Sequence, residues 1–242
     1  MCGRYTLTTN DYVAVARALE ADLLAEADEC RARYNIAPGD TAPIVWRDSA
    51  PGERRLMQPA TWGMLGAADP SDTRMHINAR SETVHQKPTF RDALFSGRCL
   101  VPADGFYEWT GDRKQRLPIW FHRPDRALAV FAGVYQDRVD RRSGEVQRRF
   151  TILTTRPNGL VAPVHDRMPV ILDPDAWAPW LAPPPVDVHT WPGFFERLAQ
   201  VLRPAQEAAL VATEVSDRAN RVANDDPRCI AAFRHPKQQS LF

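Results

Sequence analysis

Between residues 98 and 172 the chain carries a succession of short apolar segments with no helix-period stretch between them, which limits the folds open to it. Cys99–Pro102, Phe106–Trp109, Pro118–Arg123, Leu128–Tyr135, Arg148–Thr155 and Met168–Leu172 read as strands, and Thr110-Gly111-Asp112 has hairpin-turn chemistry. Regular alternation of strand and helix is missing, so the middle of the chain predicts an α+β protein built on antiparallel sheets. Helices are expected at its margins. Asn10 as N-cap, with Tyr12, Ala16, Leu19 and Leu23 at helical spacing, predicts a helix over 11–27. Tyr34–Gly39 reads as a loop entering a strand at Pro43–Arg47, with a strand pair around Arg54–Gly63. Thr89 with Asp92 resembles a capping box opening a helix to about Gly97. Asp173-Pro174-Asp175 opens another helix, Ala182-Pro183-Pro184-Pro185 breaks the chain, 193–202 is helical by pattern, and Ala212–Val215 is a late strand. One domain is expected over 2–235, followed by a short tail, 236–242.

Composition excludes several classes. A chain of 242 residues with 44% hydrophobic and 25% charged residues is typical of soluble globular proteins. No apolar run approaches the ~20 residues a bilayer needs, and the first residues lack a secretory pattern. Cys2, Cys30, Cys99 and Cys229 lie far apart with no CxxC pair, so a zinc knuckle or disulfide framework is not expected and a reducing cytoplasm is. His76, His85, His122, His165, His189 and His235 show no ligand spacing, so no metal or cofactor is expected. A net charge of +1 argues against coating nucleic acid by bulk electrostatics. All but Lys87, Lys114 and Lys237 of the 31 basic residues are arginine, whose planar fork suits phosphate, although GC-rich coding would give the same bias.

The second residue stands out chemically. Aminopeptidases remove an initiator methionine that precedes a side chain as small as Cys2, which would leave an N-terminal cysteine. Its α-amine, with a reference pKa of roughly 7.7–8.0, and its thiol then form a 1,2-aminothiol. Such a group captures an aldehyde twice, as an imine and then as a thiazolidine. Alternatively Cys2 is a small apolar residue of a first strand. Other polar clusters are Asn78–Glu82, Arg98–Trp109 and His165-Asp166-Arg167-Met168-Pro169. Strand alternation puts Glu108 with Phe106, opposite Tyr107 and Trp109, and a carboxylate among aromatic neighbours has a raised pKa suited to proton transfer. His165 is a candidate acid/base with Asp166 beside it, and Asn78 offers an amide to a polarised oxygen. Taken singly, each is equally compatible with a surface Glu, a loop His or a turn Asn.

Together these segments closely resemble the SOS response-associated peptidase (SRAP) family, the abasic-site processing proteins. The resemblance rests on Met1–Tyr5, Asn35–Gly39, Trp62-Gly63-Met64, Asn78–Glu82, Arg98–Trp109, Phe131–Tyr135 and His165–Pro169, in family order. A late Val215-Ser216 with Val222-Ala223-Asn224 resembles a family element interrupted by Ala223. The resemblance implies twisted antiparallel sheets in a pseudo-barrel with peripheral helices. It implies covalent capture of abasic sites in single-stranded DNA, with Cys2 as nucleophile, Asn78, Glu108 and His165 in the active site, and Arg4, Arg80 and Arg167 on phosphates. A weak lyase side activity, removal of Met1 autocatalytically or by an aminopeptidase, a monomer, and a bacterial cytoplasmic location with nucleoid association on DNA are expected. One departure is Gly66-Ala67-Ala68-Asp69-Pro70, where family members often carry a tryptophan. The rival reading is an N-terminal-nucleophile thiol peptidase or amidohydrolase. Finally, Gln238-Gln239-Ser240-Leu241-Phe242 resembles short clamp-binding peptides, with Leu241 and Phe242 filling an apolar pocket and Gln238 at its rim, or else it is a frayed end.

Overall fold

Alternation within one strand, Gly105–Thr110, buries both of its faces, and the architecture follows from covering each. The computed structural model describes residues 2–24, 31–48, 54–66, 74–111, 116–139, 144–185 and 187–233. In chain order the elements begin β1 (Arg4–Leu7), α1 (Tyr12–Ala18), β2 (Ala21–Leu23), β3 (Arg33–Ile36), β4 (Thr41–Arg47) and β5 (Arg55–Trp62). Next come β6 (Met64–Leu65), β7 (Met75–His76), β8 (Asn78–Arg80), α2 (Pro88–Ser96), β9 (Arg98–Val101), β10 (Gly105–Thr110) and β11 (Leu117–His122). The rest are β12 (Phe131–Val139), β13 (Val146–Thr155), β14 (Met168–Pro169), α3 (Pro174–Leu181), α4 (Trp191–Val201) and β15 (Val211–Glu214).

A five-stranded sheet has the order β15-β11-β10-β1-β3, and its pairings are antiparallel. A second sheet runs β14-β13-β12-β9-β4-β5-β2, and β13 also pairs with β5. That pairing closes β13, β12, β9, β4 and β5 into a ring, which removes their open edges. Phe106 of β10 and Tyr5 of β1 face this ring. Tyr5 meets Trp62 edge-on at 5.1 Å and Phe131 at 6.0 Å, and Phe106 meets Phe131 at 6.2 Å. On the other face, Tyr107 packs with Trp120, Val215, Ala219 and Cys229 in a smaller cluster.

The α+β architecture with antiparallel sheets is as expected, but β5 and β8 run parallel to β13, and β2 runs parallel to β5. Several boundaries differ from the pattern. Helix α1 ends at Ala18, because Glu20 takes positive φ and Ala21–Leu23 joins β5 as a strand. Leu19 and Leu23 satisfy a helical period, yet strand pairing decides their fate. The N-cap is Asp11, whose Oδ1 accepts from Ala14 N–H at 2.8 Å, rather than Asn10. The loop at Tyr34–Gly39 begins as strand β3, held by β1. Arg54–Gly63 is one strand, not a pair, and Gly63 at φ +124 turns the chain into β6. Helix α2 starts at Pro88 after Lys87 with no side-chain cap, so the expected capping box is not formed. The Ala67–Pro70 stretch, Asp112 of the turn, and the 236–242 tail lie outside the described residues. Among the described residues no helix is long and apolar enough to cross a membrane.

Candidate active site

Cys2 sits just before β1 and is fully buried, with Sγ–H donating to Arg4 O at 3.6 Å. Pairing of β1 with β10 sets Arg4 opposite Tyr107. Continued two residues back from Arg4, that antiparallel register brings Gly3 level with Glu108 and Cys2 level with Trp109, so Cys2 lies beside the half of β10 that carries Glu108. Asn78 opens β8, which is fixed by parallel pairing of Asn78 with Ile152 of β13. Asn78 Nδ2–H donates to the Cys2 carbonyl oxygen at 2.7 Å. Its Oδ1 is buried and without a hydrogen-bond partner among the described residues, an acceptor available to a bound group.

Glu108 is buried on the same face of β10 as Phe106, as alternation predicts. Burial pushes its carboxyl up to about 7, because an ion loses hydration there. His165 ends a turn in which its N–H donates to Val161 O at 3.0 Å. Its Nδ1 lies 3.9 Å from Glu108 Oε1 and 3.0 Å from Asp166 Oδ1. The same Nδ1 accepts the backbone N–H of Arg167 at 3.0 Å. A nitrogen accepting that bond carries no proton, so the neutral ring bears its hydrogen on Nε2. The Asp166 contact opposes this arrangement weakly, because the Asp166 side chain is solvent-exposed and screened. Burial lowers the His165 pKa below its ordinary value, consistent with the neutral ring. Burial, reinforced by the Glu108 carboxylate, raises the Cys2 thiol well above its ordinary range. Cys2, Asn78, Glu108 and His165 therefore converge from four separate segments.

The predicted arginines are held differently. Arg4 Nη1 donates to Asn35 Oδ1 at 2.9 Å and to Ala219 O at 3.0 Å, and its guanidinium lies 5.8 Å from the Trp109 ring centre. Arg80 is exposed at the end of β8. Arg167 is clasped by Glu82 through both guanidinium ends, each at 2.8 Å. Asn35 and Asp225 carry roles that sequence reasoning missed. Asn35 Nδ2 donates to Ala219 O, Arg221 O and Asn224 O, while Asp225 accepts from the backbone N–H groups of Tyr34 and Asn35. The signal for Asn35 lay within Asn35–Gly39, but a polar residue in an apparent loop gives no hint of burial. Trp109 is likewise flanked by Arg116 at 5.6 Å and donates Nε1–H to Asn220. Among the described residues no group of three or more His, Cys, Asp or Glu is placed to hold a metal ion.

Fold and site define a mixed α/β protein with a β-ring and flanking sheet, whose second residue is a buried cysteine facing an amide, a carboxyl and an imidazole. The chain belongs to the SOS response associated peptidase (SRAP) family, whose family model matches residues 1–222. Abasic site processing protein YoqW of Bacillus subtilis is 34% identical, over 95% of this chain and 99% of its own length. Abasic site processing protein YedK of Escherichia coli is 32% identical, over 75% and 79%. A Bacteroides thetaiotaomicron protein shares the fold with a TM-score of 0.79 at 24% identity, covering 96% of this chain and 100% of its own. A Bordetella bronchiseptica protein does so with a TM-score of 0.72 at 28% identity, covering 89% and 100%.

Proposed function

We propose that this chain processes abasic sites in DNA, as its relatives' names state of them, and does so by covalent capture in single strands through Cys2. The observation that carries this reading is the buried Cys2, with its carbonyl held by Asn78 and its thiol within the field of Glu108. After loss of Met1, by an aminopeptidase or by the chain's own site, the Cys2 amine attacks C1′ of the open-chain sugar aldehyde. His165 assists ring opening by moving a proton on the sugar oxygen. Asn78 Oδ1 accepts from the resulting carbinolamine hydroxyl. Glu108, half protonated near neutral pH, donates a proton so that water leaves and an imine forms. The Cys2 sulfur then adds to the imine carbon, and its proton passes through Glu108 to the imine nitrogen, closing the thiazolidine. An imine left open would undergo β-elimination, a weak lyase branch that ring closure suppresses. Arg4, Arg80 and Arg167 take phosphates beside the lesion, so recognition is local and sequence-independent.

The family's name supports a second reading, thiol-based amide hydrolysis with the Cys2 amine as base. Mixing the protein with an abasic single-stranded oligonucleotide tests the proposal. A heat-stable adduct is expected from the native chain and none from Cys2→Ala, whereas turnover of peptides without any adduct would establish the rival.

A further inference from the structure

His165 reaches the site at the end of a turn that starts at Asn158, shortly after β13. Asn158 is buried, and each of its polar atoms is engaged. Its Oδ1 accepts the Val161 N–H at 3.0 Å, and its carbonyl accepts the Ala162 N–H at 2.9 Å. Val161 O accepts in turn from the N–H groups of Val164 at 2.8 Å and His165 at 3.0 Å. A side-chain oxygen that bonds a backbone donor three residues on starts a turn as an N-cap starts a helix. Here the bonds run without a gap from Asn158 to His165. Val161, at the centre, is fully buried in the main core. The Asn158 N–H points to Met168 Sδ at 3.3 Å and closes the loop on its far side.

The turn is also tied down from outside. Asn158 Nδ2–H donates to Ala205 O at 3.0 Å, and the Gly159 N–H donates to Glu207 Oε1 at 2.9 Å. Both acceptors belong to the connection between α4 and β15. A Cβ at Gly159 would lie 2.1 Å from Glu207 Oε1, so this approach requires glycine. The oxygen of the Asn158 carboxamide thus shapes the turn, and its nitrogen fixes the turn to a neighbouring element. In the sequence, Arg156-Pro157-Asn158-Gly159 reads only as turn chemistry.

We infer that Asn158 is a positioning residue: through its carboxamide it fastens the His165 turn to the α4–β15 connection and holds the imidazole beside Glu108. Its effect on rate rests on the proposed capture reaction, whereas the surroundings of the imidazole are measurable without DNA.

Around His165 stand Glu108 from β10, Asp166 and the Arg167 N–H on its own loop, and the amino terminus. Burial holds its pKa below the ordinary 6.5, so a ring freed to tilt into water titrates higher. Asn158→Ala removes both side-chain bonds. Asn158→Asp keeps the bond to Val161 and turns an oxygen toward the Ala205 carbonyl. Gly159→Ala displaces Glu207 and leaves Asn158 intact. These variants and the native protein are compared by histidine NMR titration and by single-turnover crosslinking to an abasic single strand. In Asn158→Ala the His165 midpoint is expected to rise toward 6.5 while that of His122 stays in place. At saturating DNA, crosslinking is expected to slow about tenfold to a hundredfold, the scale of a misplaced catalytic group. The half-saturating DNA concentration should not move, because Arg4, Arg80 and Arg167 are untouched. Asn158→Asp and Gly159→Ala should shift both readouts the same way by smaller factors, and they carry the test if Asn158→Ala does not fold. A native His165 midpoint and native crosslinking in variants of lowered thermal stability would overturn the inference and leave Asn158 a residue of the fold alone. A loss confined to the half-saturating DNA concentration would overturn it too, by placing the turn on the DNA. If the native protein forms no adduct, the capture reading fails, and the histidine titration still decides the role of Asn158.

Discussion

Glu108 is the residue whose environment is most at odds with its chemistry. Its folded pKa of about 7 exceeds the ordinary 4.5, so the folded state binds a proton that the unfolded state releases between those values. Stability is therefore fully present below about pH 4.5 and falls as pH rises toward 7. Glu108→Gln should accordingly be more stable than the native chain at pH 8, by up to about 3 kcal/mol at 1.36 kcal/mol per unit. Urea titrations at pH 5 and pH 8 check this, and a native advantage at pH 8 would contradict it. The same variant should form adduct far more slowly, since Gln cannot carry the proton that expels water. Replacing Cys2 with Ser should leave the amine able to form an imine, with only a weaker oxygen nucleophile that closes a readily reversible oxazolidine. Borohydride-trappable adduct with increased strand cleavage is the expected outcome on a gel, and a heat-stable adduct from that variant would contradict sulfur closure.

At the scale of elements, the segment around Asp217–Asn220 and Pro227–Ile230 works as a latch over β3. Asp225 accepts from the Tyr34 N–H at 2.5 Å, the Asn35 N–H at 3.0 Å, and the Arg33 guanidinium. The latch presents the Ala219 carbonyl to Arg4. Asp225→Ala strands two backbone donors and should cost about 2–3 kcal/mol. Hydrogen exchange should quicken in residues 216–230, and binding to single-stranded DNA should weaken through Arg4. Unchanged exchange there would mean the latch is held by Val215, Ala219 and Cys229 packing alone. None of these contacts was readable from sequence, because Asp225 and Tyr34 are some 190 residues apart and each looks like loop polarity. The helix expected over 11–27 stops at Ala18 for a related reason: the strand partner of Ala21–Leu23 is β5, which no local pattern reveals.

For the whole molecule, a net charge of +1 means that, on the proposed reading, DNA would be held by a few placed arginines rather than by a general field. Adduct formation should therefore depend only modestly on salt, with a slope of about 0.7 per phosphate contact for a single strand. A slope several times larger would point to a broad basic surface instead. The tail from Gln238 to Phe242, outside the described residues, is proposed as a clamp-binding peptide. Deleting residues 238–242 should abolish binding to a bacterial sliding clamp and leave adduct formation intact. Intact mass should show active protein beginning at Cys2, and retention of Met1 in crosslinking protein would remove the amine from the mechanism.

Much of the candidate site was legible before any fold was known, because the family resemblance gathered residues that were ambiguous one by one: a penultimate cysteine, an amide, a carboxyl between aromatics, and a histidine. Alternation alone set Glu108 on the Phe106 face, since side-chain direction in a strand has a fixed period of two. What the sequence could not contain was the closure of the ring through β13 and β5, the pinning of Asn78 against Ile152, and the clasp of Arg167 by Glu82. Each depends on contacts between segments distant in the chain. Burial, and with it the displaced pKa values of Cys2, Glu108 and His165, exists only once those segments meet and exclude water.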